Sequence, residues 1–196
     1  MSFYWIVHLL VLYWNHQNIK KSITMIFSEV IMALELKEVN EKDKKSEIWN
    51  AILWALPNCF GNEPAIIDYT NQVRGMPFLA AYIDGAPAGF VAVKEHNQFT
   101  AEVCVMGILS DYHRQGIGKK LIRWCEEYCE AAGKEFLTVK TLDESRASKS
   151  YERTRQFYLA VGFKPLEVFP LHWDKDNPCL FLVKCISRHA DWSERC

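Results

Sequence analysis

The sequence predicts an α+β fold in which a mixed central β-sheet is flanked by helices. Two observations carry this reading. Three β-patterned runs follow one another between residues 76 and 109, divided by the turn signals Asp84-Gly85 and Asn97-Gln98, which makes an antiparallel series. A strongly amphipathic run, Ile117 to Ala132, then separates the third of these from a short β-rich run, Phe136 to Thr141, so that the last two strands run parallel.

The elements follow in order. Ala33-Leu34-Glu35-Leu36-Lys37-Glu38-Val39 alternates as a half-buried first strand should. Asp43 suits the N-cap of a helix that places Ile48, Trp49, Ile52, Leu53 and Leu56 on one face and stops near Pro57. Asn58 to Arg74 reads as a loop and a second helix with Ile66, Ile67 and Tyr69 inward. Met76 to Ile83, Pro87 to Lys94 and Thr100 to Leu109 are the antiparallel strands. In the next helix Ile117, Leu121, Trp124, Cys125, Tyr128 and Ala132 recur at helical spacing, and Gly133 fits the C′ position. Phe136 to Thr141 should be buried on both faces as a parallel strand. Tyr151 to Val161 is a helix ended by Gly162, and Phe163 to Phe169 with Leu180 to Cys185 complete the sheet, giving β-α-α-β-β-β-α-β-α-β-β.

At 196 residues the chain has the length of one domain. A net charge of −1 gives no global attraction to nucleic acid or an anionic membrane, so any cationic site must be local. Seven cysteines occur without a C-x-x-C pair or a His-spaced cluster, which predicts no metal and fits a reducing cytoplasm. Cys125 and Cys129 read as small buried hydrophobes. Met1 to Trp14 is apolar but shorter than the about 20 residues of a membrane span, and it lacks a signal peptide's basic start. Residues 1–32 are therefore read as an extension, either a peripheral apolar segment or an upstream start ahead of Met25 or Met32; membrane association is not expected. The folded domain spans 33–186, and 187–196 is a polar tail.

Arg114-Gln115-Gly116-Ile117-Gly118-Lys119-Lys120 lies where a strand gives way to the amphipathic helix. The first turn of a helix has amides without intrahelical partners and a partial positive charge, and glycines let a ligand approach that backbone. The arrangement suits a phosphate or pyrophosphate, with Lys119, Lys120 and Arg123 adding charge. No hydroxyl follows Gly118-Lys119, which excludes a nucleotide P-loop, and Leu121 stands where a dinucleotide fingerprint needs a small residue.

Tyr112 to Leu121 resembles the acetyl-CoA pyrophosphate loop of the GNAT N-acetyltransferase superfamily, and Phe157-Tyr158-Leu159-Ala160-Val161-Gly162-Phe163 resembles its F/L-Y-x-x-x-G-F segment. The resemblance covers roughly Ala33 to Lys184. It implies the GNAT acyl-CoA N-acyltransferase fold and direct transfer, in a ternary complex, of an acetyl group from acetyl-CoA to a primary amine of a small molecule or peptide. A non-catalytic acyl-CoA-binding module is the alternative. The resemblance assigns the pantetheine contacts to backbone at Met106 and Ile108. It assigns the pyrophosphate to the loop from His113 through Arg114, Gln115, Gly116 and Gly118 to Lys119. Two positions depart from the family pattern: His113 replaces an Arg or Gln, and Tyr151 replaces an asparagine.

Acetyl transfer needs a neutral amine, and a lysine-like amine with pKa about 10.4 is mostly charged at neutral pH, so a general base is useful. Glu102 is the candidate, on the strand leading into the loop, a placement that the resemblance to histone-type GNAT enzymes supports. Strict alternation would put Glu102 on one face with Cys104, Met106 and Ile108, an apolar setting that strengthens a carboxylate as a base. Glu95 and His96 are reserves. The resemblance makes Tyr158 the general acid for the leaving thiolate. Cys104 is not expected to act as a nucleophile. For the acceptor, Trp49, Trp54, Phe60 and Tyr69 could wall a cleft or simply form core. Asp143 to Arg146 and the rim at Leu171 to Asp174 with Asn177 to Cys179 face the same end. A homodimer through the sheet edge or last strands is compatible with the pattern.

Overall fold

The computed structural model describes residues 33–56 and 72–186. The expectations for residues 1–32, for Phe60, Ile66, Ile67 and Tyr69, and for the tail lie outside the described residues.

The strands are β1 (Leu34–Glu38), β2 (Phe78–Ile83), β3 (Ala86–Glu95), β4 (Thr100–Ile108), β5 (Phe136–Leu142), β6 (Lys164–Asp174) and β7 (Asn177–Cys185). They form one seven-stranded mixed sheet in the order β1-β2-β3-β4-β5-β7-β6. The helices are α1 (Lys42–Leu53), α2 (Ile117–Ala131) and α3 (Lys149–Ala160). β2, β3 and β4 are antiparallel in succession, β4 and β5 are parallel, and β7 inserts antiparallel between β5 and β6. The β2–β3 turn has φ of 50° at Asp84 and 80° at Gly85, and two positive φ values in a two-residue loop match the twist of a hairpin.

α1 covers one face of β2 to β4. Ile48, Trp49, Ile52 and Leu53 are buried with Phe78, Phe90, Ala92 and Val105, and Phe78 and Phe90 stack at 5.1 Å. Trp49 lies 5.4 Å from Phe90, so it belongs to this core and not to an acceptor wall. A Cβ at Gly107 would lie 3.0 Å from Ile52 Cγ2, which brings α1 directly against the β4 backbone. Lys45 is buried and its ammonium donates to the Met76 carbonyl at 2.5 Å.

Several sequence expectations are corrected. α1 starts at Lys42 with Glu41 as N-cap, and Asp43 instead pairs with Arg74 at 2.8 Å in the first turn. β1 is largely exposed, because it is an edge strand and only the following Val39 reaches the core. Trp124 and Tyr128 do not face inward; they reach Glu38 at 2.8 Å and Glu95 at 2.5 Å, while Ile122 and Cys129 complete the buried stripe of α2. β5 alternates between buried and half-buried residues, since the sheet opens beside it. β6 runs on to Asp174 and is exposed throughout as the other edge.

α2 ends as its glycine suggests. Gly133 has φ of 67°, its amide donates to Glu130, and the Lys134 amide donates to the Cys129 carbonyl at 2.8 Å. Burial raises the thiol pKa values of Cys125 and Cys129, that of Cys129 to about 11. The unfolded chain, with thiols near about 8.5, therefore releases protons first as pH rises. This stabilisation is complete below about pH 8.5 and is lost as pH climbs toward 11. The urea midpoint is expected to fall between pH 8 and pH 10.5, and Cys129→Ala should flatten that fall.

Candidate active site

β4 and β5 are paired only from Thr100↔Phe136 to Val103↔Val139. β5 goes on pairing with β7 as far as Leu142↔Cys179, so β4 and β5 part beyond Val103. On the other side of β4 the register passes from Val93↔Val103 to Ala92↔Val105, which leaves Cys104 as an extra residue. Such a bulge bends its strand and re-aims the side chains that follow.

The bulge overturns the expected alternation. Cross-strand partners share a face, and Lys94 and Ala92 lie on one face of β3. Their partners Glu102 and Val105 therefore share the α1 face, apart from Met106 and Ile108. The backbone of β4 is equally defined. The Leu109 amide donates to the Ala88 carbonyl at 2.9 Å, toward β3. By alternation Met106 and Ile108 turn their N–H and C=O groups away from β3, into the opening left by β5.

At the end of this edge stands His113, after a 3₁₀ turn at Ser110–Tyr112. Its Nε2 lies 2.8 Å from the Ile108 carbonyl oxygen and must be the donor, since a carbonyl only accepts. Arg114 has φ of 60° and Gly116 of 82°. Left-handed residues so placed make a backbone nest, which turns successive amides inward. The first helical bond runs from the Lys120 amide to the Gly116 carbonyl, and no side chain caps α2. The amides of Ile117, Gly118 and Lys119 thus have no intrahelical acceptor, while Lys119, Lys120 and Arg123 are exposed. The two glycines differ in purpose. Gly116 serves its positive φ, whereas a Cβ at Gly118 would lie 3.0 Å from two Phe157 ring carbons. Gly118 therefore makes room for α3.

Glu102 is 5% exposed, yet its setting is polar. His96 Nε2 lies 2.5 Å and Lys140 Nζ 2.9 Å from the same oxygen, Oε2. The Lys140 ammonium also lies 5.1 Å from the Phe181 ring centroid. Lys140 escaped the sequence reading, although a lysine that is the one charged residue of an interior strand calls for a partner. Glu95 lies on the opposite face. Hydrogen bonds from Lys134, at 2.7 Å, and from Tyr128 hold its carboxyl below the usual carboxylate range, which makes it a poor proton acceptor. Burial, with Glu102 nearby, pushes the Cys104 thiol up to about 11, which disfavours the nucleophilic thiolate.

Tyr158 is buried on α3, with ring centroids 5.3 Å from Phe157 and 5.4 Å from Phe163. Burial raises its phenol well above the ordinary value, and Cys125 adds to this. α3 packs on β5, and no described contact joins Tyr158 to Glu102. Trp54 is 56% exposed, and Leu171 to Asp174 belong to β6. Asp143 accepts the Ser145 amide at 3.0 Å in a local turn. Among the described residues no group of three His, Cys, Asp or Glu is placed to hold a metal, and no helix is long and apolar enough to cross a membrane.

The model of the Acetyltransferase (GNAT) family matches residues 45–163. The chain belongs to this family. No curated protein matches it by sequence. Among the solved structures that resemble this GNAT chain in fold are the following three. A GNAT-family protein from Desulfovibrio desulfuricans has TM-score 0.66 and 14% identity, covering 79% of this chain and 100% of its own. An aminoglycoside 6′-N-acetyltransferase complexed with coenzyme A has TM-score 0.61 and 18% identity, covering 82% and 100%. The yncA protein of Salmonella typhimurium, with acetyl-CoA, has TM-score 0.56 and 16% identity, covering 81% and 96%. The mixed sheet with its helices is the GNAT fold.

The two glycines separate in a stability measurement. Gly118→Ala drives a methyl into the Phe157 ring and should cost about 1–3 kcal/mol in urea unfolding. Gly116→Ala should cost only the left-handed strain of about 1–2 kcal/mol. Adding Phe157→Leu should recover part of the first loss and none of the second.

Proposed function

We propose that this GNAT protein transfers an acetyl group from acetyl-CoA to a primary amine of a small molecule or peptide, by direct attack in a ternary complex. The observation that carries the reading is the edge of β4 beyond Val103, which no described strand pairs on the β5 side and which is followed, after a 3₁₀ turn, by the uncapped start of α2. A pantetheine arm has amide groups that can pair with Met106 and Ile108 as a further strand would. A pyrophosphate meets the nest at Arg114 to Gly116 and the amides through Lys119. His113 takes the family's Arg or Gln position and supports the edge through the Ile108 carbonyl, while Gln115 Nε2 braces the loop on the Asp111 carbonyl at 3.1 Å. The coenzyme A and acetyl-CoA complexes of fold relatives support a ligand of this class.

Glu102, one rung before the strands part, is the carboxylate on which removal of the amine's proton depends. The amine nitrogen then bonds to the thioester carbon, and free N–H groups along β4 can receive the developing oxyanion. The C–S bond breaks. Tyr158, whose raised phenol remains protonated across the working range, donates to the leaving thiolate.

Thiol release from acetyl-CoA, followed across aminoglycosides, polyamines and lysine-bearing peptides, tests the proposal. Amine-dependent release is expected. It should fall about tenfold to a thousandfold in Tyr158→Phe and in Glu102→Gln. Calorimetric binding of acetyl-CoA with no release for any amine would favour a non-catalytic acyl-CoA-binding module. No binding would end the assignment.

A further inference from the structure

We propose that His96 receives the proton of the attacking amine, and that Glu102 and Lys140 hold its ring in the tautomer able to do so. The proposal rests on the acetyl-transfer reading above and specifies how Glu102 performs its part.

The geometry divides the roles. The Glu102 side chain is 6% exposed and that of His96 is 33% exposed, so the imidazole is the member of the pair that an incoming amine can reach. Lys140 places its ammonium on the same carboxylate oxygen that His96 contacts. An ionised carboxylate so contacted can only accept hydrogen bonds. His96 Nε2 must then carry the hydrogen, and the neutral ring presents its lone pair at Nδ1. Both donors already occupy the Glu102 Oε2 oxygen, whereas the imidazole keeps a lone pair on its other nitrogen. The pair also lies where it is needed. Glu102 is registered with Thr138, one rung from Val103↔Val139, the last before the opening.

Other titratable groups nearby do not compete. Lys94, registered opposite Glu102, and Lys140 are donors only. Burial pushes the thiols of Cys104 and Cys179 up to about 11. Glu95 is turned to the other face and occupied by Lys134 and Tyr128.

In the step itself the amine nitrogen bonds to the thioester carbon while one N–H proton passes to His96 Nδ1. The ring becomes an imidazolium whose Nε2–H remains on Glu102. As the C–S bond breaks the thiolate takes a proton from Tyr158, which regains one from water. His96 returns its proton to solvent at its exposed edge. Glu102 and Lys140 are positioning residues in this scheme, and their effect is on the ring.

Two measurements decide it. Nitrogen-15 NMR of the histidines in the full chain at pH 8.5 needs no acceptor: His96 should be protonated at Nε2 and bare at Nδ1. A ring protonated at Nδ1 would overturn the proposal. With the best amine of the panel, kcat/KM against pH should show an acid limb that His96→Gln abolishes, with kcat reduced about tenfold to a hundredfold. Glu102→Gln should lower kcat yet keep the limb. The reverse pattern, with the limb intact in His96→Gln and absent in Glu102→Gln, would make Glu102 the direct acceptor and refute the role of His96. Acetyl-CoA binding by calorimetry, expected unchanged in His96→Gln, separates this failure from that of the acetyl-transfer reading. A wild type that does not bind acetyl-CoA sinks the reading, and the proposal with it.

Discussion

A β-strand inside a sheet has neighbours on both sides to satisfy its amides and carbonyls, and β4 has them only as far as Val103. Beyond that point β3 continues to pair on one side while β5 turns away to follow β7. Leaving a buried amide or carbonyl unpaired costs about 1–3 kcal/mol. Met106 and Ile108 are half-buried there, and in the proposed function a ligand that hydrogen-bonds like a strand completes the edge. The bulge at Cys104 bends β4 there, and Gly107 keeps α1 close against its far face. The strand is followed by His113 and the nest before α2, so in the proposed function one backbone offers an extended edge and then a seat for an anion.

Charge around the opening follows the same division. The body of the protein is nearly neutral, with a net charge of −1, and the local positive field at the start of α2 comes from Lys119, Lys120, Arg123 and the helix amides. On the α1 face of the sheet, Glu102, His96 and Lys140 form a compact cluster of opposite charges. Buried ion pairs of this kind contribute little net stability, because desolvation offsets attraction. In the proposed scheme their use is to fix geometry, the carboxylate held by Lys140 setting which imidazole nitrogen carries the hydrogen.

Local chemistry was legible in the sequence. The Asp84-Gly85 turn, the Gly133 and Gly162 helix ends and the glycine loop are set by residues whose φ preferences act within a few positions. The hydrophobic face of α1 was equally plain, and Trp49 is part of it. Three features were not readable, for physical reasons. One extra residue at Cys104 reverses side-chain direction, and nothing in the composition of Thr100 to Leu109 announces it, so Glu102 was grouped with the wrong face. The pairing of Glu102 with Lys140 joins residues 38 positions apart and depends on the parallel register of β4 and β5. The space that Gly118 leaves for Phe157 is hidden in the same way, because α3 is distant in sequence.

Amide hydrogen exchange, resolved by residue, with and without acetyl-CoA, addresses the central claim directly. If the ligand completes the sheet along β4, saturation with acetyl-CoA should slow exchange at Met106 and Ile108 and at the α2 amides of Ile117, Gly118 and Lys119. The Leu109 amide, already bonded to Ala88, should change little. Binding that protects neither the β4 edge nor the start of α2 would contradict the account.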